Sequence, residues 1–228
     1  MTHLAEAKAA LFDIDGTLTT GGDVWGGLLG APEVAVWRRA WLYATALPHY
    51  GLSKAGLISE RGFRERWVRL MAWLMTGWTA QQVQGVYDMV AHDFLVPDLR
   101  PDTVVLLNQH KAAGHPVILV SNMFEGIVQA LAVHLGADAG LGSRVAMDGD
   151  RCLGRIAGQT CAGPGKVTFA QAYLAAHHPA LTIEQCAGYA DSRSDAPLLG
   201  AVGFPVAVYA DAQLRAEAEA HGWALYPA

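Results

Sequence analysis

The stretch Ala9-Ala10-Leu11-Phe12-Asp13-Ile14-Asp15-Gly16-Thr17-Leu18-Thr19 constrains the fold more than any other part of this chain. An apolar run of strand type closes on two aspartates. Side chains at i and i+2 of a strand point to one side. If the strand ends at Asp13, Asp15 lies in the following loop and turns back toward the same spot. Gly16 permits the tight turn, and Thr17 adds a hydroxyl and a backbone N–H. Two carboxylates held this close repel unless a cation or a shared proton intervenes, which points to a hard-metal site or an acid–base pair. Taken alone, Asp-x-Asp-Gly fits a strand end with an Asp-Gly turn equally well, because turns favour these residues.

Three later stretches tip that balance. Val117-Ile118-Leu119-Val120-Ser121-Asn122 is a second buried-type strand ending in a hydroxyl, and Gly165-Lys166 opens a later helix. Ala187-Gly188-Tyr189-Ala190-Asp191-Ser192-Arg193-Ser194-Asp195 is a third strand, ending in two more aspartates four apart. In order and spacing these stretches resemble the four motifs of the haloacid dehalogenase superfamily of phosphohydrolases, from about Lys8 to Ala228. Ser121-Asn122-Met123-Phe124-Glu125 is similar to the branch that contains phosphoserine phosphatase. Ala190 stands where the family usually has Gly.

The resemblance implies a Mg²⁺-dependent phosphomonoesterase acting on a small phosphorylated metabolite. Asp13 would be the nucleophile, forming an aspartyl-phosphate, a route that splits one hard displacement into two. Asp15 would protonate the leaving group and then deprotonate water. Asp13, Asp191 and Asp195 would hold the metal, with Asp15 contributing its backbone carbonyl. Lys166 would neutralise Asp13 and the phosphoryl oxygens, and Thr17, Ser121 and Asn122 would complete the phosphate site. A phosphotransferase or mutase using the same intermediate is the alternative, and a non-catalytic binding protein on the same fold is a weaker one. Phosphoserine phosphatases carry a Glu about nine residues after the nucleophile, and this chain departs from that pattern with Gly22, so the resemblance does not carry phosphoserine over as the substrate.

Between the first two motifs the pattern turns helical. Gly21 to Gly27 is glycine-rich and suits a hinge. Val34, Trp37, Trp41 and Ala44 then recur at helical spacing, with Pro32 as a helix start, and Phe63, Trp67, Leu70, Leu74 and Trp78 do the same. Thr79 to Gln82 is a capping box that opens a third helix through Val83, Val86, Val90 and Phe94. Residues 21–97 are thus expected to form an all-helical cap, and residues 1–20 with 98–228 a catalytic core. In the resembled family such an insert is a mobile lid. Arg64, Arg66 and Arg69 are its candidate polar contacts, and Trp25 and Trp67 its candidate apolar ones. Six of the seven tryptophans fall in this insert. Two roles stay open for them: the core of the cap, or an aromatic lid or dimer surface.

Past residue 98, helices are expected over 101–113, 125–135, 166–176 and 211–221. Strands are expected over 117–120, 186–190, 204–208 and 224–226, with a hairpin about Asp148-Gly149-Asp150. Strands separated by helices imply an α/β fold, a Rossmann-like doubly wound parallel sheet that binds ligands beyond the strands' C-terminal ends. All four motifs fall at such ends.

Composition closes off other classes. Charged residues make up 16% and apolar ones 52%, which excludes disorder. A net charge of −5 without a basic run argues against a nucleic-acid partner. No stretch reaches the roughly 18 apolar residues of a membrane span, and the N-terminus lacks a signal-peptide core. Cys152, Cys161 and Cys186 form no zinc signature and fit reduced thiols in a cytoplasm. Gly163 to Lys166 fails as a P-loop, since Thr160 and Val167 stand where Gly and Ser/Thr are needed. The expected partners are a small phosphorylated substrate and, through the tryptophans, a second copy in a homodimer.

Overall fold

In the computed structural model, which describes residues 6–54 and 60–227, six strands form one parallel sheet. They are β1 (Ala9–Phe12), β2 (Val117–Phe124), β3 (Ala139–Ser143), β6 (Cys186–Ala190), β7 (Phe204–Val208) and β8 (Ala224–Tyr226). The spatial order is β3-β2-β1-β6-β7-β8, and every neighbouring pair is parallel. The strand β1 is therefore central, and the chain leaves it first toward β2 and later toward β6. Beyond the carboxyl ends of strands at such a switch point, the loops part and leave a crevice.

Alternation in the central strands shows why both faces are covered. Ala10 and Phe12 of β1, with Val117 and Leu119 of β2, join the apolar cluster on one face. Ala9 and Leu11, with Ile118 and Val120, join the cluster on the other. Each fully buried Leu, Ile or Phe contributes about 1.5–3 kcal/mol, so these short strands hold the sheet without a polar face. On the first face lie α5 (Pro101–Ala112) and α6 (Glu125–Leu135), and α7 (Pro164–His177) and α8 (Ala196–Ala201) cover the second. The helix α6 stops at Gly136, whose φ of 61° is the left-handed conformation a helix end requires. The last helix, α9 (Ala212–His221), is capped by the Asp211 side chain.

The insert is helical, as expected, but its opening differs. The glycine-rich stretch read as a hinge runs into α1 (Val24–Gly30), with Asp23 as N-cap and Val24 and Leu28 buried. Pro32 does not start the next helix; α2 begins four residues later and runs Val36–Lys54. The third helix, α3, spans Glu60–Leu74, so Trp78 lies beyond it. The side chains of Arg61, Phe63 and Arg64 lie outside the described residues. The capping box at Thr79 forms as the sequence predicts, with Thr79 and Gln82 satisfying each other's backbone N–H groups, and opens α4 (Ala80–Val90). A π turn over Ala91–Leu95 then carries Phe94 out to partial exposure.

The insert is joined to the rest of the chain in two ways. One apolar cluster runs unbroken from Phe12, Ile14 and Leu18 into Val24, Leu28, Val68, Met71 and Val86. In addition, the hairpin of β4 (Val145–Asp148) and β5 (Arg151–Ile156) pairs with the segment before α4. Gly77 N–H donates to the Cys152 carbonyl at 2.8 Å, and Cys152 N–H donates to the Trp78 carbonyl at 2.9 Å. The tryptophans divide accordingly. Trp78 is core, while Trp37 and Trp41, 61% and 45% exposed, pack on Trp73 at the surface. No helix among the described residues is long and apolar enough to cross a membrane.

Beneath β1 a buried polar group is locked in place. His110 of α5 is fully buried, with Nε2 2.7 Å from the Tyr189 hydroxyl and Nδ1 2.9 Å from Nδ1 of His115. Tyr189 in turn stacks on Phe12 at 4.3 Å. Burial, and then the neighbouring His115, depress the His110 pKa from 6.5 to about 4. A depressed pKa means that the folded state binds fewer protons than the unfolded one. Its stability is therefore complete above about pH 6.5 and is lost as pH falls toward 4, by up to about 3 kcal/mol. Urea denaturation from pH 7.5 to 4 should show that loss. His110→Gln should flatten it, and an unchanged slope would exclude His110 as its source.

Candidate active site

The strand β1 delivers Asp13 to the crevice, where its N–H donates to the Tyr189 carbonyl of β6 at 2.9 Å. The chain then turns sharply: Thr17, Leu18 and Thr19 all donate their N–H groups to the Ile14 carbonyl. Gly16 makes this possible. Its φ is +81°, and a Cβ there would lie 2.1 Å from Oδ2 of Asp191. The turn and the approach of the two aspartate loops thus depend on the same missing methyl.

From the opposite side comes Lys166, the third residue of α7. Gly163 precedes that helix at φ 51°, Pro164 opens it, and Gly165 lies against the Thr160 carbonyl. Lys166 is only 4% exposed, yet its Nζ is 2.6 Å from Oδ1 of Asp13 and 2.5 Å from Oδ1 of Asp195. Asp195 is 1% exposed, and its other oxygen accepts from the Ser192 hydroxyl at 2.9 Å. Asp191 follows β6. One oxygen each of Asp13, Asp191 and Asp195 fits within a 4.8 Å cluster.

Three carboxylates against one ammonium leave negative charge in a water-poor place. Burial raises the Asp13 pKa well above 3.8; Asp195 and Asp191 add to the rise, and Lys166 opposes it. Burial and then Asp195 raise Asp191 to about 6. For Lys166, burial works against the charged form, but the two carboxylates outweigh it and hold the ammonium protonated. A hard divalent cation with oxygen ligands would relieve the residual repulsion, so the donor set fits Mg²⁺.

The remaining residues singled out from the sequence take different places. Ser121 is buried at the crevice and accepts from the Met123 N–H at 3.3 Å; Asn122 stands beside it. Asp15 is exposed at the crevice mouth and lies outside the three-carboxylate cluster. Thr17 is set back: its hydroxyl donates to Oδ1 of Asp191 at 3.4 Å and does not line the cavity. Arg66 and Arg69 are exposed on α3 and do not reach the cavity either.

Outside the carboxylates opens a cavity of about 480 Å³. Asp13, Ser121, Asn122, Lys166 and Asp195 line its inner end, Asp15 lies at its mouth, and Asp23, Trp25, Tyr43, Trp67 and Val68 line its outer wall. Trp25 and Trp67, the candidate apolar contacts, both line the cavity, whereas Asp23, Tyr43 and Ser194 were not foreseen. A serine beside an aspartate was the available hint for Ser194, which touches Asp195 through its hydroxyl at 3.4 Å.

Comparison with known proteins places the chain in a family. The family model described as haloacid dehalogenase-like hydrolase matches residues 10–200. A Streptomyces azureus protein named for inhibition of morphological differentiation is 30% identical over 97% of this chain and 78% of its own length. A probable phosphatase of Mycobacterium tuberculosis is 32% identical over 66% of this chain. The match covers 51% of that protein, so this chain spans about half the length of its mycobacterial relative. A Bordetella pertussis protein of unknown function has a similar crystal structure, with a TM-score of 0.77 and 25% identity over 95% of this chain and 96% of that one.

Proposed function

Because this chain belongs to the haloacid dehalogenase-like hydrolases, we propose that it is a Mg²⁺-dependent phosphomonoesterase acting on a small phosphorylated metabolite through an aspartyl-phosphate on Asp13. One observation carries this reading. A buried carboxylate at the end of the central strand meets a buried lysine and two further carboxylates, and Asp13, Lys166 and Asp195 of that group line an open cavity. A binding module has no need of that concentration of like charge, whereas phosphoryl transfer does. The name of the mycobacterial relative, a probable phosphatase, supports the same activity.

In this reading, an Asp13 carboxylate oxygen attacks phosphorus and the bond from phosphorus to the ester oxygen breaks. Asp15, at the cavity mouth, gives its proton to the departing alkoxide. It then takes a proton from the water that attacks the aspartyl-phosphate, releasing inorganic phosphate and restoring Asp13. Lys166 holds Asp13 in position and offsets charge on the phosphoryl oxygens, while Ser121 donates a hydrogen bond to them. Asp13, Asp191 and Asp195 would hold Mg²⁺, whose charge would lower the repulsion between the nucleophile and the phosphoryl group. Thr17 positions Asp191 through its hydroxyl.

Release of inorganic phosphate from a panel of monoesters, including p-nitrophenyl phosphate, tests the reading. Activity should require Mg²⁺ and vanish in excess chelator. Mg²⁺ at about a hundred times its Kd should also stabilise the fold by about 2.7 kcal/mol. Asp191→Asn should weaken both effects together. Full activity in chelator would remove the metal from the mechanism.

A further inference from the structure

In α2 the arginines turn inward and the apolar side chains face water. Val36, Trp37, Trp41 and Tyr43 are between 45% and 78% exposed, and Ala40, Ala44 and Pro48 are exposed with them. Among the described side chains of this helix, every exposed one is thus apolar or aromatic. At about 100° per residue the seven fall on one continuous arc of about 160°. Arg38 and Arg39 lie on the other side, with the buried Leu42 and Ala46. Nη1 of Arg38 donates to the Leu74 and Thr76 carbonyls at 2.7 and 2.9 Å. Nη2 of Arg39 donates to the Ala31 and Val34 carbonyls at 3.2 and 2.9 Å. A surface helix ordinarily shows the reverse arrangement, and an exposed apolar face of this extent marks a contact surface.

The segment that carries this face is positive. Residues 36–74, from the start of α2 to the end of α3, hold seven of the 16 Lys and Arg residues and two of the 21 Asp and Glu. Their net charge is +5, in a chain whose total is −5. Arg66 and Arg69 are exposed on α3 and share a helix face, by their spacing, with Trp73. The Trp73 ring meets those of Trp37 and Trp41, at 5.9 and 4.4 Å between centroids. The face therefore suits a partner that is anionic at its surface and apolar beneath.

We propose that α2 docks the protein on an anionic lipid bilayer. The helix lies in the interface, with Trp37 and Trp41 at headgroup level and Arg66 and Arg69 against lipid phosphates. A second copy seated on the same face would bring one positive segment against another. Single-stranded nucleic acid needs open cations that track its backbone, whereas both arginines of α2 are committed to carbonyls. Tyr43, at one margin of the arc, also lines the cavity, so docking sets the cavity beside the lipid surface.

Co-sedimentation of the full chain with vesicles tests this without reference to turnover. One set is phosphatidylcholine alone; the other is phosphatidylcholine and phosphatidylglycerol in equal parts. Affinity should be about tenfold or more higher for the anionic set and should fall as salt is raised. On binding, tryptophan emission should shift to the blue and be quenched by lipids brominated on their acyl chains. Trp37→Ser combined with Trp41→Ser should lower the affinity about tenfold or more and abolish that quenching, with the melting temperature nearly unchanged because both rings are exposed. Arg66→Gln combined with Arg69→Gln should reduce the preference for anionic vesicles. Failure to sediment with the anionic set, or binding that survives loss of both tryptophans, overturns the proposal. A dimer that Trp37→Ser and Trp41→Ser dissociate, or binding of a single-stranded oligonucleotide through the same residues, without vesicle binding in either case, also overturns it and assigns the face to that partner.

Discussion

Replacing Asp13 with Asn is expected to lower phosphate release by on the order of 10³-fold or more, because it removes the attacking oxygen while keeping the shape. Stability should move in the other direction or hardly at all. Asp13 is buried in a group of three carboxylates and one ammonium, so its neutral form is favoured by its surroundings. Asn provides that neutral form permanently, and Lys166 keeps Asp195 at 2.5 Å. A variant that is inactive yet melts at or above the native temperature is the signature of a nucleophile rather than of a structural residue. Acid quenching during turnover, followed by peptide mass spectrometry, should place the phosphoryl group on Asp13. Its appearance on Ser121 instead would overturn the assignment.

The sheet and the clustering of most candidate site residues could be read in advance for one physical reason. Strands buried on both faces are continuous apolar runs, so β1, β2 and β6 stand out, and the residues just past them must lie at one edge of the sheet. Elements set by tertiary contact were harder. The strand β3, Ala-Gly-Leu-Gly-Ser, has the composition of a loop. Its glycines are there because α6 lies on its backbone: a Cβ at Gly140 would sit 2.5 Å from the Val128 carbonyl carbon, and one at Gly142 2.6 Å from Cα of Glu125. The helix α1 was hidden in the same way, since Gly26 and Gly27 make room for Asp23 and Phe94. On α3, spacing brought out the arginines and tryptophans alike. Packing turned Trp67 and Val68 toward the cavity and left Arg66 and Arg69 in solvent. Tyr43 and Asp23 carry no local signal, because their place at the cavity depends on how α1 and α2 pack against the rest of the chain.

Removing the Lys166 ammonium should have the largest effect on folding. Without it, Asp13, Asp191 and Asp195 crowd within 4.8 Å with no cation in contact, and two of the three are almost wholly buried. Breaking a buried pair from one side costs about 3–5 kcal/mol, since the orphaned charges cannot reach water. Lys166→Met is the informative substitution: it retains length and apolar bulk and removes only the charge. In chelator at pH 8 it should lose that full amount in urea denaturation, together with nearly all phosphate release. Protonating the carboxylates relieves the repulsion, so the gap from the native chain should narrow toward pH 5, the direction set by carboxyl groups whose pKa is already raised. Mg²⁺ should narrow it at pH 8 by supplying the missing positive charge. If Lys166→Met were as stable as the native chain at pH 8 in chelator, the lysine would not be what allows these carboxylates to lie together.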